Sequence, residues 1–191
     1  MGKSITFAAV AGLSLLPLAG CGDKGAKDGS AAATQGAAVA AGPTGWNATD
    51  ACSVLDKATV AEILKQPVSE VQLGMVNEAG SATAATSECA YIGAEGRSIA
   101  RLTTRWSPIN DNTAETIAMA RSATAAAMKA FSDKPLEDIP GLGKAAFLAP
   151  KIDQLSVFID DARMIVVTAE KVPDGASGKD IVIALAKKAG A

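Results

Sequence analysis

Residues 88–106 read ECAYIGAEGRSIARLTTRW, and their alternation decides what kind of fold the chain can build. Ala100, Leu102, Thr104 and Trp106 fall on every second position. Arg97, Ile99, Arg101, Thr103 and Arg105 fill the positions between. A period of two sends successive side chains to opposite faces of a strand. The first set suits a core and the second suits water. The preceding ECAYIG reads as another strand, and Glu95-Gly96 supplies the turn between the two. Strands joined so closely must pair antiparallel.

The same reading extends in both directions. Upstream, VSEVQLGMV (68–76) alternates with Val71, Leu73 and Met75 on one side and is expected to be a strand. Before it, ACSVLDKATVAEILKQP (51–67) is expected to be a helix capped by Asp56, with Val60, Ile63 and Leu64 as its apolar side and Pro67 as its end. Downstream, DNTAETIAMARSATAAAMKAF (111–131) predicts a longer helix opened by Asn112 and Glu115. Its buried side is expected to hold Ile117, Ala120, Ala127, Met128 and Phe131, with Thr124 among them. KAAFLA (144–149), QLSVFI (154–159) and ARMIVVTAEK (162–171) predict three further strands, the last two turning at Asp160-Asp161. Ser177 and Asp180 form a capping-box start for a last helix, with Ile181, Ala184 and Leu185 facing inward. Helix, three strands, helix, three strands, helix predicts an α+β fold: an antiparallel sheet with helices packed on one face. The recurrence has the outline of an internal duplication, although the residues of the two halves do not match.

IPGLGKAAF (139–147) contains Gly141, Gly143 and Ala146 in the spacing of a dinucleotide-binding loop. Such a loop needs a buried strand before its first glycine and a helix that starts within it, because the pyrophosphate sits on the free N–H groups of that helix. Here KPLEDIP (134–140) precedes it with two prolines, and Pro150 cuts short any helix after it. The string reads as a tight turn into a strand, and no nucleotide is expected.

The start of the chain is informative. MGKSITFAAVAGLSLLPLAGC carries Lys3, then an uncharged run from Ile5 to Leu18, then Ala19 and Gly20 before Cys21. The run has the length of a signal-peptide hydrophobic region and falls short of the roughly 18–20 residues of a bilayer crossing. Leu18-Ala19-Gly20-Cys21 resembles the lipobox of bacterial lipoproteins. The resemblance implies that residues 1–20 are a cleaved signal peptide and that Cys21 carries a diacylglyceryl group and often an acyl chain, such as palmitate, on its amine. The alternative is an ordinary secretory signal, with Cys21 a bystander. Two or three chains make anchoring effectively permanent where one is marginal. The family's sorting rule places a retaining Asp directly after the cysteine. Gly22 stands there in this chain, so the outer membrane, facing the periplasm, is expected over the inner.

Residues 22–45 are mostly Gly, Ala, Ser and Thr, a composition that cannot bury enough apolar surface to offset its ordering entropy. Residues 21–45 are therefore expected to be the lipidated cysteine and a tether with a reach of about 25–30 Å. Residues 46–191 suit a single domain. Net charge is −2 with no basic run, which argues against nucleic acid. Of the three cysteines, Cys52 and Cys89 remain after Cys21, and an even number in an exported chain reads as a disulfide. Two free thiols are the alternative. A catalytic cysteine fits poorly, because the chain has no histidine to activate it.

A second likeness spans residues 50–190. Asp50-x-Cys52-x-x-Leu55, Glu88-Cys89-Ala-Tyr91 and Ile139-Pro-Gly-Leu-Gly143-Lys-Ala-Ala146 resemble a group of small secreted bacterial lipoproteins of unknown function. Its members carry a D-x-C-x-L-L opening, a second Cys followed by an aromatic residue, and a G-L-G-D-A-A turn. Lys144 departs from that pattern. The likeness supports the disulfide and the fold and implies no chemistry.

Without histidine, the usual acid–base and metal constellations are missing, and no cofactor or metal is expected. Glu137-Asp138 and Asp160-Asp161 are carboxylate pairs in predicted turns, where acidic residues are ordinary. Arg97, Arg101 and Arg105 form a possible partner or anion surface: on one strand face they could meet an anionic headgroup, a glycan phosphate or an acidic protein. The alternative is a solvated face screened by nearby Glu and Asp. The expected function is that of a non-enzymatic lipoprotein of the cell envelope, bound to the membrane by its anchor and presenting its domain to an envelope protein or to envelope assembly. The second reading is a periplasmic carrier of a small or lipidic ligand.

Overall fold

Asp56 starts a helix as its place in the sequence suggests. In the computed structural model, which describes residues 46–191, its carboxylate accepts from the backbone N–H groups of Ala58 and Thr59, both at 2.9 Å. The expected signal peptide, Cys21 and the tether to residue 45 lie outside the described residues. Helix α2 (Lys57–Leu64) buries Val60 and Leu64 and ends at Lys65, whose φ of 52° is left-handed. The single first helix expected from the sequence is two. A one-turn helix α1 (Ala51–Val54), capped by Asp50, precedes α2, and extended Leu55 separates them. Two aspartates six residues apart each cap a helix, so neither helix can run through the other's start.

Among the described residues, seven strands form one antiparallel sheet: β1 (Val68–Asn77), β2 (Ala85–Gly93), β3 (Ser98–Trp106), β4 (Glu137–Asp138), β5 (Ala145–Ala149), β6 (Gln154–Phe158) and β7 (Arg163–Ala169), in the order β1-β2-β3-β7-β6-β5-β4. Cys89 lies opposite Leu102, Leu102 opposite Val167, Val167 opposite Leu155, and Leu155 opposite Leu148. This row crosses five strands, and every member is fully or almost fully buried. The α+β class with an antiparallel sheet and helices packed on it is what the chain adopts. Helices α1, α2 and α4 (Gly178–Lys188) cover the face that carries this row, where Ile181, Val182, Leu185 and Ala186 of α4 join the main core.

Helix α3 (Ala114–Met128) takes the other face. It rests on the outward residues Phe147 and Ala149 of β5 and Phe158 of β6, which with Met128 and Leu136 make a second, smaller core. The Phe147 and Phe158 rings lie 6.3 Å apart and tilted, within the favourable range for an aromatic pair. This placement bears on the suggested duplication. Two three-stranded meanders meet through β3 and β7, as a two-fold axis normal to the sheet would arrange them. Such an axis would put α2 and α3 on the same face, and they lie on opposite faces.

Local departures from the sequence reading have local causes. The cap of α3 is Thr113, whose hydroxyl accepts from Thr116 N, and Asn112 is buried elsewhere. Ala127 and Phe131 are exposed, Phe131 at 74 %; the helix ends at Met128, before Phe131 can reach the sheet. Leu73 and Met75 are exposed as well. Strand β1 is an edge, and a bulge between Gly74 and Asn77 puts Met75 at φ 50° and breaks the alternation. Glu137-Asp138, expected in a turn, pairs with β5 as a two-residue edge strand.

Candidate functional site

The arginines of residues 97–105 do not form one row. The ladder slips between Tyr91 and Ile92, so Ile92 faces Ser98 while Tyr91 faces Ala100. The extra residue turns Ile99 into the core, where it is 3 % exposed, and leaves Arg97 before the strand. Arg97 pairs with Glu95, which also takes Lys171 Nζ at 3.1 Å. The Arg97 and Lys171 hydrogen bonds hold the Glu95 carboxyl below its usual range. Arg101 lies between two carboxylates, with Nη1 2.7 Å from Glu88 and Nε 3.2 Å from Glu170. Burial works against its charge, but Glu170 and Glu88 outweigh that and hold the guanidinium above its ordinary value. Arg105 pairs with Asp111 and donates to Asn112 Oδ1 at 3.3 Å. Each arginine therefore meets a carboxylate of its own chain, and Arg101 and Arg105 share the face of β3 that no helix covers.

A polar corner at the end of β3 and β7 was not visible in the sequence as a unit. Asn112, 1 % exposed, is its centre. Its side-chain amide donates to the carbonyls of Asp160 and Arg163, at 2.8 and 3.0 Å. Its backbone carbonyl accepts from Lys144 Nζ at 2.7 Å, and Lys144 also pairs with Asp161. Lys144, the departure from the G-L-G-D-A-A pattern, thus ties the glycine turn to the β6–β7 turn. Asp160 accepts from Ala162 N, Arg163 N and Arg163 Nε at 2.7–2.9 Å. Burial opposes its ionisation, and the Arg163 bonds overcome it, so the carboxyl stays below its ordinary value. Arg163 in turn stacks 5.7 Å from the centre of the Trp46 ring, whose Nε1 donates to Ala189 O. This chemistry holds turns in place. A visible signal was Asp160 three residues before Arg163, the spacing of an aspartate turn closed by its own arginine.

Gly141 and Gly143, at φ 77° and 59°, form the expected tight turn into β5. Cys52 and Cys89 are bonded as a disulfide with α-carbons 5.0 Å apart, fastening α1 to β2. Among the described residues, no group of three or more His, Cys, Asp or Glu is placed to hold a metal ion, and no helix is long and apolar enough to cross a membrane.

Two clefts remain. One of about 400 Å³ lies beside the β2–β3 turn and is lined by Gln66, Glu95, Arg97, Glu170 and Lys171. The other, about 550 Å³, opens under the C-terminal end of α3 with Met128 and Leu136 among its apolar lining and Arg121, Lys129 and Lys134 among its charged residues. The chain matches no family model, no curated protein and no solved structure.

Proposed function

We propose that this chain is a lipid-anchored protein of the cell envelope, held at the outer membrane through Cys21 and presenting its domain in the periplasm to a protein partner or to envelope assembly, without catalysis. The observation that carries the reading is Leu18-Ala19-Gly20-Cys21 after an uncharged run of signal length. The Cys52–Cys89 disulfide supports it, because such bonds persist in oxidising compartments. The test is growth with labelled palmitate, followed by in-cell crosslinking and identification of what is captured. The native chain should take up label, and Cys21→Ser should leave an unlabelled precursor or soluble protein. A Cys21→Ser variant that was processed and stayed on the membrane would overturn the anchor.

The second reading, a carrier of a small or lipidic ligand, is favoured by the cleft under α3, where Met128 and Leu136 meet cationic side chains. A native mass spectrum of protein made in cells would show retained ligand mass for a carrier and none for a docking module.

A further inference from the structure

Between Glu115 and Lys129, helix α3 carries a single charge, Arg121, which lies on the flank of the helix and is paired with Asp138 on β4. Its inward side, Ile117, Ala120, Thr124, Ala125 and Met128, rests on β5 and β6. Its outward side, where a solvent-facing helix ordinarily carries charge, offers Ala118, Met119, Ser122, Ala123 and Ala126, all exposed, Met119 at 57 %. Glu115 and Lys129 close this stretch at its two ends, and neither has an ion-pair partner among the described residues.

We propose that this face is the interface between two copies of the chain, paired antiparallel through α3. The outward pattern is complementary to itself. Glu115 and Lys129 lie seven residues before and after Ser122, about 10 Å along the helix in each direction. A two-fold axis beside Ser122 therefore sets each Glu115 next to the other copy's Lys129, forming two ion pairs by symmetry. The same axis lays each Met119, the large exposed side chain of the stretch, over the small residues around the other copy's Ala126, a knob over a hole. Small side chains along the seam let the axes approach to the close end of the usual 8–10 Å range. Antiparallel packing also opposes the two helix dipoles. A lipid surface fits the face less well, because interfacial helices carry large apolar residues on one side and Lys or Arg on the other, and this stretch is mostly alanine. Two four-turn helices make a contact in the small class, under about 1,200 Å² in all, so the dimer is weak and reversible.

The test is crosslinking of the full-length chain in intact cells. Ser122→Cys should give a reducible dimer at least five-fold above the yield from Glu62→Cys on the exposed side of α2. In the Ser122→Cys background, Glu115→Lys alone and Lys129→Glu alone should each cut the dimer several-fold by placing like charges together. Both changes together should restore it. Met119→Lys should lower it independently of that pair. Alkylation of free thiols checks in each variant that Cys52 and Cys89 remain bonded and the domain folded. No dimer above the control, an adduct with a different protein, or a double charge swap that fails to restore the yield would each overturn the proposal. Protection of the Ser122→Cys thiol from an impermeant maleimide without dimer formation would assign the face to lipid instead.

Discussion

The hydroxyl of Tyr91, on the core side of β2, donates to the backbone carbonyl of Leu55 at 2.5 Å. Leu55 is the extended residue between the two first helices, and both partners are buried, Tyr91 completely. The bond satisfies a carbonyl that no helix claims. It lies two residues along β2 from the disulfide cysteine Cys89, so the α1–α2 junction is fastened to the sheet at two neighbouring points.

Tyr91→Phe removes the donor and leaves the carbonyl buried and unpaired, at a cost of about 1–3 kcal/mol. The urea midpoint should fall with the slope unchanged. The native chain should also lose stability at high pH. Burial raises the Tyr91 hydroxyl's pKa above its ordinary value, and Asp56 and Asp50 add to the shift. The folded state therefore keeps this proton after the unfolded chain begins to lose it near pH 10. The contribution is complete below about pH 10 and declines above it, and Tyr91→Phe should lack that component. Parallel alkaline limbs for the two proteins would contradict the assignment.

The disulfide joins residues 37 positions apart. On the chain-entropy model, closing such a loop is worth about 4 kcal/mol. Denaturation with and without reductant should show a loss of that order, matched by the Cys52→Ala/Cys89→Ala pair. Reduction should leave the folded domain's circular dichroism in place at low denaturant. A reduced chain as stable as the oxidised one would mean that the bond constrains nothing.

What the sequence made legible is what periodicity and caps encode. The alternation of residues 100–106 set the core side of β3, and Ser177 with Asp180 and Asp56 with Thr59 marked helix starts by their own hydrogen bonds. The misreadings fall where a long-range event overrides a local one. Ile99 enters the core through a bulge that alternation cannot register. Asn112 looked like a cap but serves two carbonyls 48 and 51 residues away, partners no local pattern announces. Arg101 and Arg105 were legible as a strand face, whereas the slip at Ile92 takes Arg97 out of it. Their carboxylate partners were only partly so, since Glu170 meets Arg101 across 69 residues. For α3 the inward side was read in part, and the exposed face became apparent only once its packing against β5 was known.

Acid should weaken the corner around Arg105. The Arg105 hydrogen bond, opposed by burial, holds the Asp111 carboxyl below its ordinary value. A lowered carboxyl stabilises above the unfolded value near pH 4, and the contribution is lost as pH falls through the folded value. Asp111→Asn should therefore lower the midpoint at neutral pH by about 1–2 kcal/mol, allowing for partial solvent screening. The gap to the native chain should narrow steadily below pH 4. A gap that stays constant from pH 7 to pH 2 would show that the ion pair is not its source.

The glycine turn allows a test in which two neighbouring positions differ for a stated reason. Gly141 and Gly143 both have positive φ, 77° and 59°. A side chain built at Gly141 meets nothing within 4 Å, whereas one at Gly143 would lie 2.5 Å from the carbonyl oxygen of Phe158 and 2.9 Å from Val157 Cγ1. Gly141→Ala therefore incurs the conformational cost alone, about 1–2 kcal/mol for the left-handed region. Gly143→Ala incurs that cost and a collision as well. Its backbone cannot simply move away, because Lys144 N donates to that same Phe158 carbonyl at 2.7 Å. Relief requires opening the start of the β5–β6 pairing, which also frees Lys144 from Asn112 and Asp161. Gly143→Ala should thus be markedly the more destabilising of the two by thermal or urea unfolding. It should also speed amide exchange at Lys144 and Ile139, whose N–H groups bond across this turn, while Gly141→Ala leaves both protected. Equal losses at the two positions would remove the steric argument and leave backbone conformation as the reason for both glycines.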